Sequence, residues 1–208
     1  MVTVEADVDQ VERRLAAGEL SCPSCGGVLA GWGRGRARQL RGADGPVELC
    51  PRRSRCTGCG VTHVLLPVTV LLRRADTAAV IVSALAVKAT TRVGFRRVAA
   101  DLARPAETVR GWLRRFAERA EAVRSVFTVW LAAVAVDPVM PDAAGGVFAD
   151  AMTVIAAVAT AITHRFLLPE VSLAETAVAV SGGRLLAPSW PGEPVQHDLT
   201  LPAAPITP

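Results

Sequence analysis

Five cysteines are the residues of this chain best suited to chemistry, and four of them form two CxxC pairs. The first pair is Cys22 and Cys25, and the second pair, Cys56 and Cys59, follows thirty intervening residues later. A glycine follows each pair, so both turns can fold back sharply and direct their thiolates at one centre. Tetrahedral sulfur coordination suits Zn²⁺ and leaves no open position for water. The spacing therefore predicts one structural zinc ion.

Two further residues leave the ligand set open. Cys50 lies six residues before Cys56, and His63 lies four residues after Cys59, so either could replace a ligand. The two symmetric pairs are preferred, because a fifth cysteine is most often a small buried side chain. His63 also falls in an alternating stretch, residues 61–66, that predicts a strand. Two unrelated reduced CxxC turns or a redox pair are the alternatives to a metal site.

Residues 94–116 are the second candidate, because apolar side chains at helical spacing alternate there with arginines. The two apolar stripes predict two short helices joined by a tight turn, a helix-turn-helix whose second helix enters the major groove of DNA. Arg110 and Arg114 are expected to contact bases or phosphates, and Glu107 to accept from a cytosine amino group. The full set of expected DNA-binding residues is Arg96, Arg97, Arg104, Glu107, Arg110, Arg114 and Arg115. A solvated helical hairpin is the alternative interpretation.

Charge is distributed unevenly along the chain. Residues 1–119 carry a formal charge of +9, whereas residues 120–208 carry −5. The front half is therefore suited to a polyanion such as DNA. The longest apolar runs are shorter than the roughly 20 residues that cross a bilayer, and the acidic N-terminal stretch is unlike a secretory signal. We therefore expect no membrane span and a cytoplasmic protein, in which a disulfide framework is not favoured.

The elements needed to position these residues predict a mainly α protein with a small N-terminal β zinc ribbon. A three-helix helix-turn-helix unit and a helical C-terminal region are expected to follow. Asp76 is expected to cap the first helix of that unit. The expected organisation is an N-terminal strand and helix at residues 1–19, a zinc ribbon at 20–67, a DNA-binding domain at 68–120, a helical region at 121–187 and a disordered proline-rich tail at 188–208.

Four segments, CPSCG, RRSRCTGCG, LLPVTVLLRR and RRVAADLARPAETVRGWLRRF, make the front half resemble the zinc-ribbon and helix-turn-helix region of insertion-sequence transposases. The chain to about residue 188, including SGGRLLAP, resembles uncharacterised actinobacterial helix-turn-helix proteins that accompany mobile elements. The first resemblance implies that the four paired cysteines bind zinc and that residues 104–115 carry the DNA-reading helix.

The chain departs from those transposases in its C-terminal part. Their nuclease domain holds metal ions with three carboxylates, whereas the carboxylates after residue 120 are expected at helix ends and in turns; they are Asp137, Asp142, Asp150, Glu170 and Glu175. We therefore expect no enzymatic activity.

Together these patterns predict a zinc-stabilised, sequence-specific DNA-binding protein, acting as a transcriptional regulator or as a DNA-binding accessory of a mobile element. The expected partner is double-stranded DNA. Apolar helices after residue 120 also allow a homodimer or a partner protein of transposition or transcription. The alternatives are a truncated or accessory transposase component and a zinc-ribbon module that binds proteins.

Overall fold

The computed structural model describes residues 1–168 and 170–192, which form six strands and seven helices. The strands are β1 (Val2–Val4), β2 (Leu29–Arg34), β3 (Arg38–Arg41), β4 (Pro46–Leu49), β5 (Arg52–Cys56) and β6 (Thr62–Pro67). The helices are α1 (Val8–Ala16), α2 (Ala78–Thr90), α3 (Phe95–Asp101), α4 (Ala106–Ala117), α5 (Ala120–Val134), α6 (Val147–Phe166) and α7 (Leu173–Ser181). The predicted disordered tail lies outside the described residues from residue 193 onward.

Four strands form a mixed sheet in the order β1-β6-β5-β2. β1 runs parallel to β6, with Val2 opposite Leu65, and the other neighbours are antiparallel. α1 covers one side of the sheet, because its apolar residues Val11 and Leu15 are buried in a core shared with Val4 and Leu29. The N-terminal strand and helix are thus part of the domain that holds the cysteines.

β3 and β4 form a separate two-stranded hairpin. Leu40 and Leu49 of the hairpin pack on Leu66 of β6 and on Val70 in a small buried cluster. The backbone of Arg41 also bonds to the segment that precedes α2, with a 2.8 Å bond from its amide to the carbonyl of residue 75. The hairpin therefore connects the sheet to the helical part.

The helices α2 to α7 share one hydrophobic core, which includes Ile81, Trp112, Phe127, Ile155 and Val178. α2 is buried on most sides, as expected for a helix that is apolar nearly all round. α4 ends at Ala117, and Arg119 with φ −128° separates it from α5. The helical segment from residue 106 to residue 134 is therefore divided into two helices.

The predicted fold class is wrong. The structure is 45% helix and 17% strand, with a four-stranded mixed sheet across the first 70 residues, a further two-stranded sheet and no separate three-helix unit in its described part. Two physical reasons explain the error. β1 is only three residues long and finds its partner about sixty residues away, so local patterns do not reveal the pairing. The first three helices of the helical part bury their apolar faces together with α5, α6 and α7.

Among the described residues one helix, α6, is long and apolar enough to cross a membrane by length and composition. This is weak evidence for a membrane protein, because the core helix of a soluble protein passes the same test. α6 contributes Ala151, Ile155 and Val158 to the core at 0% exposure, and its Arg165 donates to the carbonyl of Val134 at 2.9 Å. The described structure is compatible with a soluble protein.

Candidate functional site

The two CxxC pairs come together in space, as the spacing predicted. The four Sγ atoms of Cys22, Cys25, Cys56 and Cys59 all lie within 4.8 Å of one another. The Sγ atoms of Cys22 and Cys59 are 3.8 Å apart, and those of Cys25 and Cys56 are 3.4 Å apart. A tetrahedral zinc site with Zn–S bonds of about 2.3 Å places its sulfurs about 3.8 Å apart. The cluster therefore has the dimensions of a tetrathiolate metal site.

The two CxxC turns have the same backbone geometry. In each turn the amide of the first cysteine donates to the carbonyl five residues later, at 2.7 Å for Cys22 and 2.9 Å for Cys56. The glycine after each pair donates back to that first cysteine and lies in the left-handed region, with φ +72° at Gly26 and +73° at Gly60. Only glycine adopts this conformation without strain. The repeated CxxC-Gly motif therefore encodes two equivalent metal-binding turns.

Backbone amides stabilise the thiolate form of the first cysteine in each turn. The amide of Cys59 lies 3.5 Å from the Sγ of Cys56, and hydrogen bonding to this amide lowers the pKa of Cys56 to about 6 although burial raises it. Burial also raises the pKa of Cys22, but bonds from the amides of Ser24 and Cys25 and from His63 bring it down to about 7. These two sulfurs are therefore prepared to act as anionic ligands.

The pKa of Cys59 shows why the four sulfurs need a cation between them. The amide of Val61 lowers the pKa of Cys59, but the neighbouring sulfurs, Cys25 first, raise it to about 11. Four thiolates at this separation repel one another, so they cannot all ionise without a positive ion between them. A divalent metal ion removes this penalty, and the donor set therefore fits a structural metal.

The cluster is half enclosed by protein. Cys22 and Cys56 are buried, whereas Cys25 and Cys59 are exposed. A Cβ atom at Gly27 would lie 3.1 Å from the Sγ of Cys56, so the backbone approaches the sulfurs closely there. With four sulfur ligands no coordination position stays open for a substrate. This arrangement suits a structural role.

His63 and Cys50 occupy different places around the site. His63 is buried, and its Nε2 donates to the Sγ of Cys22 at 3.3 Å when that sulfur is the thiolate. It thus supports a ligand from outside the group of four sulfurs, which is a role the sequence did not reveal. Cys50 lies away from the cluster, and its Sγ donates to the carbonyl of Gly35 at 3.5 Å. The cluster consists of the two symmetric pairs.

A buried ion-pair network lies between the hairpin and the connection from α3 to α4. The carboxylate of Asp76, 2% exposed, accepts from Arg104 at 2.7 Å and from Arg41 at 2.6 Å. Arg104 also donates to the carbonyl of Gly42 at 2.5 Å. Asp76 is therefore not the N-cap of α2; that position is Thr77. Within the described structure Arg104 uses its donors internally, so we leave it out of the DNA contacts proposed below.

The other expected DNA-facing residues lie on α3 and α4. Four arginines are exposed, two on each helix, and they are Arg96, Arg97, Arg110 and Arg114. Glu107 is exposed on the first turn of α4 and lies 3.4 Å from Arg110. Arg115 is half-buried and donates to the carbonyl of Gly111 at 3.1 Å. The structure thus places five of the seven residues on an accessible surface.

Two carboxylates of the C-terminal part serve local structure. Asp150 accepts from the amide of Ala144 at 2.6 Å, and Glu175 forms a capping box with Ser172 at the start of α7. Among the described residues, only the four cysteines form a group of three or more potential ligands that are close enough together to hold a metal ion.

Comparison of the chain with models of protein families, with curated proteins and with solved structures finds no match. The resemblance to the front half of insertion-sequence transposases therefore stays a prediction from the residues.

Proposed function

We propose that the chain is a zinc-stabilised protein that binds double-stranded DNA through the exposed arginines of α3 and α4. The observation that carries the proposal is the accessible basic face of α4, whose opposite face is buried. Val109, Trp112 and Phe116 are at most 3% exposed, so packing fixes the direction in which Arg110 and Arg114 project. These arginines lie one helical turn apart, about 6 Å along the axis.

The exposed face of α4 suits a groove of DNA, because an α-helix fits the width of the major groove. Between the two arginines the helix carries Gly111, and the guanidinium of Arg115 lies over this glycine, 2.9 Å from where a Cβ atom would be. Arg96 and Arg97 on α3 would contact the adjacent phosphates.

Acidic neighbours do not prevent these contacts. Arg110 pairs with Glu107 at 3.4 Å, and Arg114 pairs with Glu118 at 3.6 Å. All four side chains are more than half exposed, and such surface pairs contribute only about 0–1 kcal/mol. A phosphate can therefore displace the carboxylates at little cost.

Zn²⁺ is the metal that fits the site best, because the donors are four sulfurs in two CxxC turns. When bound, the ion would neutralise the mutual repulsion of the thiolates and fix both turns. Elemental analysis of protein purified without added metal should find about one zinc per chain. Less than half an equivalent, or iron in place of zinc, would contradict this assignment.

The test of DNA binding is a salt series with sheared genomic duplexes. Four arginine–phosphate contacts predict a slope of log affinity against log salt of about −3.6. The variant Arg110→Gln/Arg114→Gln removes two of these phosphate contacts, so it should reduce the slope to about −1.8 and weaken binding about equally for all sequences. The matched control is Arg13→Gln on α1, which removes an exposed arginine elsewhere.

Two results would reject the proposal: no binding to any duplex, or an affinity that neither salt nor the double variant changes. Sequencing the selected fragments separates the two biological roles. Enrichment of the ends of mobile elements would favour an accessory of transposition, and enrichment of promoters would favour a regulator.

A further inference from the structure

The sheet has an exposed side opposite α1, which we call the outer sheet face. Strand pairing places Ala30 opposite Arg55, Arg55 opposite Thr62, and Arg53 opposite Val64. Because side chains alternate along a strand, these residues share one side, whereas Leu29 and Cys56 point to the core. The outer sheet face consists of Ala30, Arg53, Arg55, Thr62 and Val64, together with Trp32, which lies in the irregular part of β2 and whose ring contacts Arg55.

Trp32 is the most conspicuous residue of this face. It is 51% exposed, whereas Trp112 and Trp190 are buried at 3% and 7%. The guanidinium of Arg55 lies 4.8 Å from the centre of the Trp32 ring, and its Nε donates to the carbonyl of Gly60 at 3.2 Å. The second metal-binding turn thus positions Arg55, and Arg55 contacts the ring of Trp32. These contacts orient the ring before a ligand binds.

The charge of the face fits a polyanion. Residues 20–67 contain seven arginines and only two carboxylates, Asp44 and Glu48. Arg34 and Arg52 pair with Glu12, and Arg41 pairs with Asp76. Within the described part of the chain no carboxylate lies within ion-pair distance of the other four arginines, which are Arg36, Arg38, Arg53 and Arg55. Arg53 and Arg55 are the two that lie on the outer sheet face.

An exposed tryptophan beside arginines that have no carboxylate partner in the described structure is suited to unpaired bases. In a duplex the faces of the bases are stacked on one another, so a side chain can stack only on a base that is free. Three strands make the face about 10 Å wide, which matches a few nucleotides of a single strand. The uncharged hydrogen-bonding groups there are the hydroxyl of Thr62 and the indole N–H of Trp32, so the face offers few partners for the 2′-hydroxyls of RNA.

We infer that the outer sheet face binds single-stranded DNA. A base stacks on Trp32, and Arg53 and Arg55 hold the neighbouring phosphates. This site is distinct from the arginines of α3 and α4 and does not depend on the function proposed for them. It gives the chain a second nucleic-acid surface, for DNA whose strands are separated.

The test uses the full, metal-loaded chain and fluorescently labelled oligo(dT) of about 12 nucleotides. Stacking contributes about 1–3 kcal/mol per base, so Trp32→Ala should weaken binding about 5- to 150-fold. Trp32→Phe should restore most of the affinity, because a phenyl ring still stacks. Arg53→Gln should weaken binding and reduce its salt dependence. Bound oligo(dT) should also quench tryptophan fluorescence in the wild type, and Trp32→Ala should abolish this quenching.

Three controls make the result specific. Trp130→Phe removes a tryptophan from α5, and Arg13→Gln removes an exposed arginine from α1; both should bind oligo(dT) as the wild type does. The double variant Arg110→Gln/Arg114→Gln should also keep its oligo(dT) affinity, which separates this site from duplex binding. Metal content and circular dichroism show whether each variant is folded.

The inference is overturned if Trp32→Ala, with its metal retained, binds oligo(dT) as tightly as the wild type. The inference is also overturned if a duplex binds as tightly as oligo(dT) and Trp32→Ala changes neither affinity. Tighter binding of oligo(U) than of oligo(dT) would reject DNA as the ligand of this face.

Discussion

The buried carboxylate of Asp76 offers the sharpest test of how the sheet and the helices are joined. Asp76 is 2% exposed and accepts from two arginines that belong to different parts of the fold. Arg41 comes from the hairpin, and Arg104 comes from the connection between α3 and α4. Asp76→Ala removes the acceptor and leaves both guanidinium groups to find other partners.

The two arginines differ in how much water reaches them, and this difference sets the magnitude. The side chain of Arg104 is 11% exposed, whereas that of Arg41 is 47% exposed. Removing one partner of a buried ion pair costs about 3–5 kcal/mol, because the other charge is left uncompensated. Arg104 keeps the carbonyl of Gly42 as an acceptor, so we expect the lower end, about 3 kcal/mol. Arg41 regains water, and Arg41→Gln should cost at most about 1 kcal/mol.

The assay is urea unfolding of the metal-loaded chain followed by far-ultraviolet circular dichroism. If the slope of the unfolding free energy against urea concentration is unchanged and the midpoint concentration is lower, the variant has changed stability alone. Double-mutant cycles then separate the two pairs: the coupling of Asp76 with Arg104 should exceed its coupling with Arg41, within a range of about 0.5–3 kcal/mol. Asp76→Asn, which keeps the size and one acceptor oxygen, should cost less than Asp76→Ala.

Two results would refute this reasoning. If Asp76→Ala costs less than about 1 kcal/mol, the carboxylate does not compensate a buried charge. If Arg41→Gln costs as much as Arg104→Gln, solvent exposure does not set the strength of the two pairs.

Three more predictions concern the cysteine site. Because the pKa values of Cys22 and Cys56 are lowered to about 7 and about 6, the stabilising effect of their thiolates is complete above the ordinary thiol pKa and is lost as the pH falls through these values. Metal transfer to a chromogenic chelator should therefore rise steeply between about pH 7 and 5, and transfer that does not change with pH would contradict this. His63→Phe should lower metal affinity about 10- to 100-fold, with His63→Gln less affected because an amide N–H can still donate to Cys22. Cys50→Ser should keep one metal per chain, and loss of the metal in that variant would show that the ligand set is different.

The sequence predicted the cysteine site well because the site is built from local geometry. A CxxC pair followed by glycine specifies a turn almost by itself, and Gly26 and Gly60 adopt nearly the same φ. The only long-range requirement is that the two turns meet, which the pairing of β2 with β5 provides by placing Leu29 opposite Cys56. Periodicity likewise located α3 and α4 within a few residues, because their apolar stripes face one core.

The prediction of the fold class is wrong where the structure depends on residues that are distant in the sequence. The sequence predicts a strand and a helix in residues 1–19, but it does not show that the strand pairs with β6, because this pairing closes a loop of about sixty residues. Asp76 was assigned a local role as a helix cap, but its partners are Arg41, 35 residues before it, and Arg104, 28 residues after it. A lone carboxylate before an apolar helix does not show whether it serves that helix or a distant cation.

The two proposed nucleic-acid surfaces are connected to the metal site through different numbers of contacts. On the outer sheet face the connection is direct, since Arg55 bonds to Gly60 in the second cysteine turn and lies over Trp32. The path to α4 runs through the small cluster around Leu66, then the hairpin, and then the network of Asp76. The core of the helices is also separate from the core that contains Cys22 and Cys56. The position of Trp32 therefore depends on the metal site through two contacts, whereas the arginines of α4 keep the support of their own core.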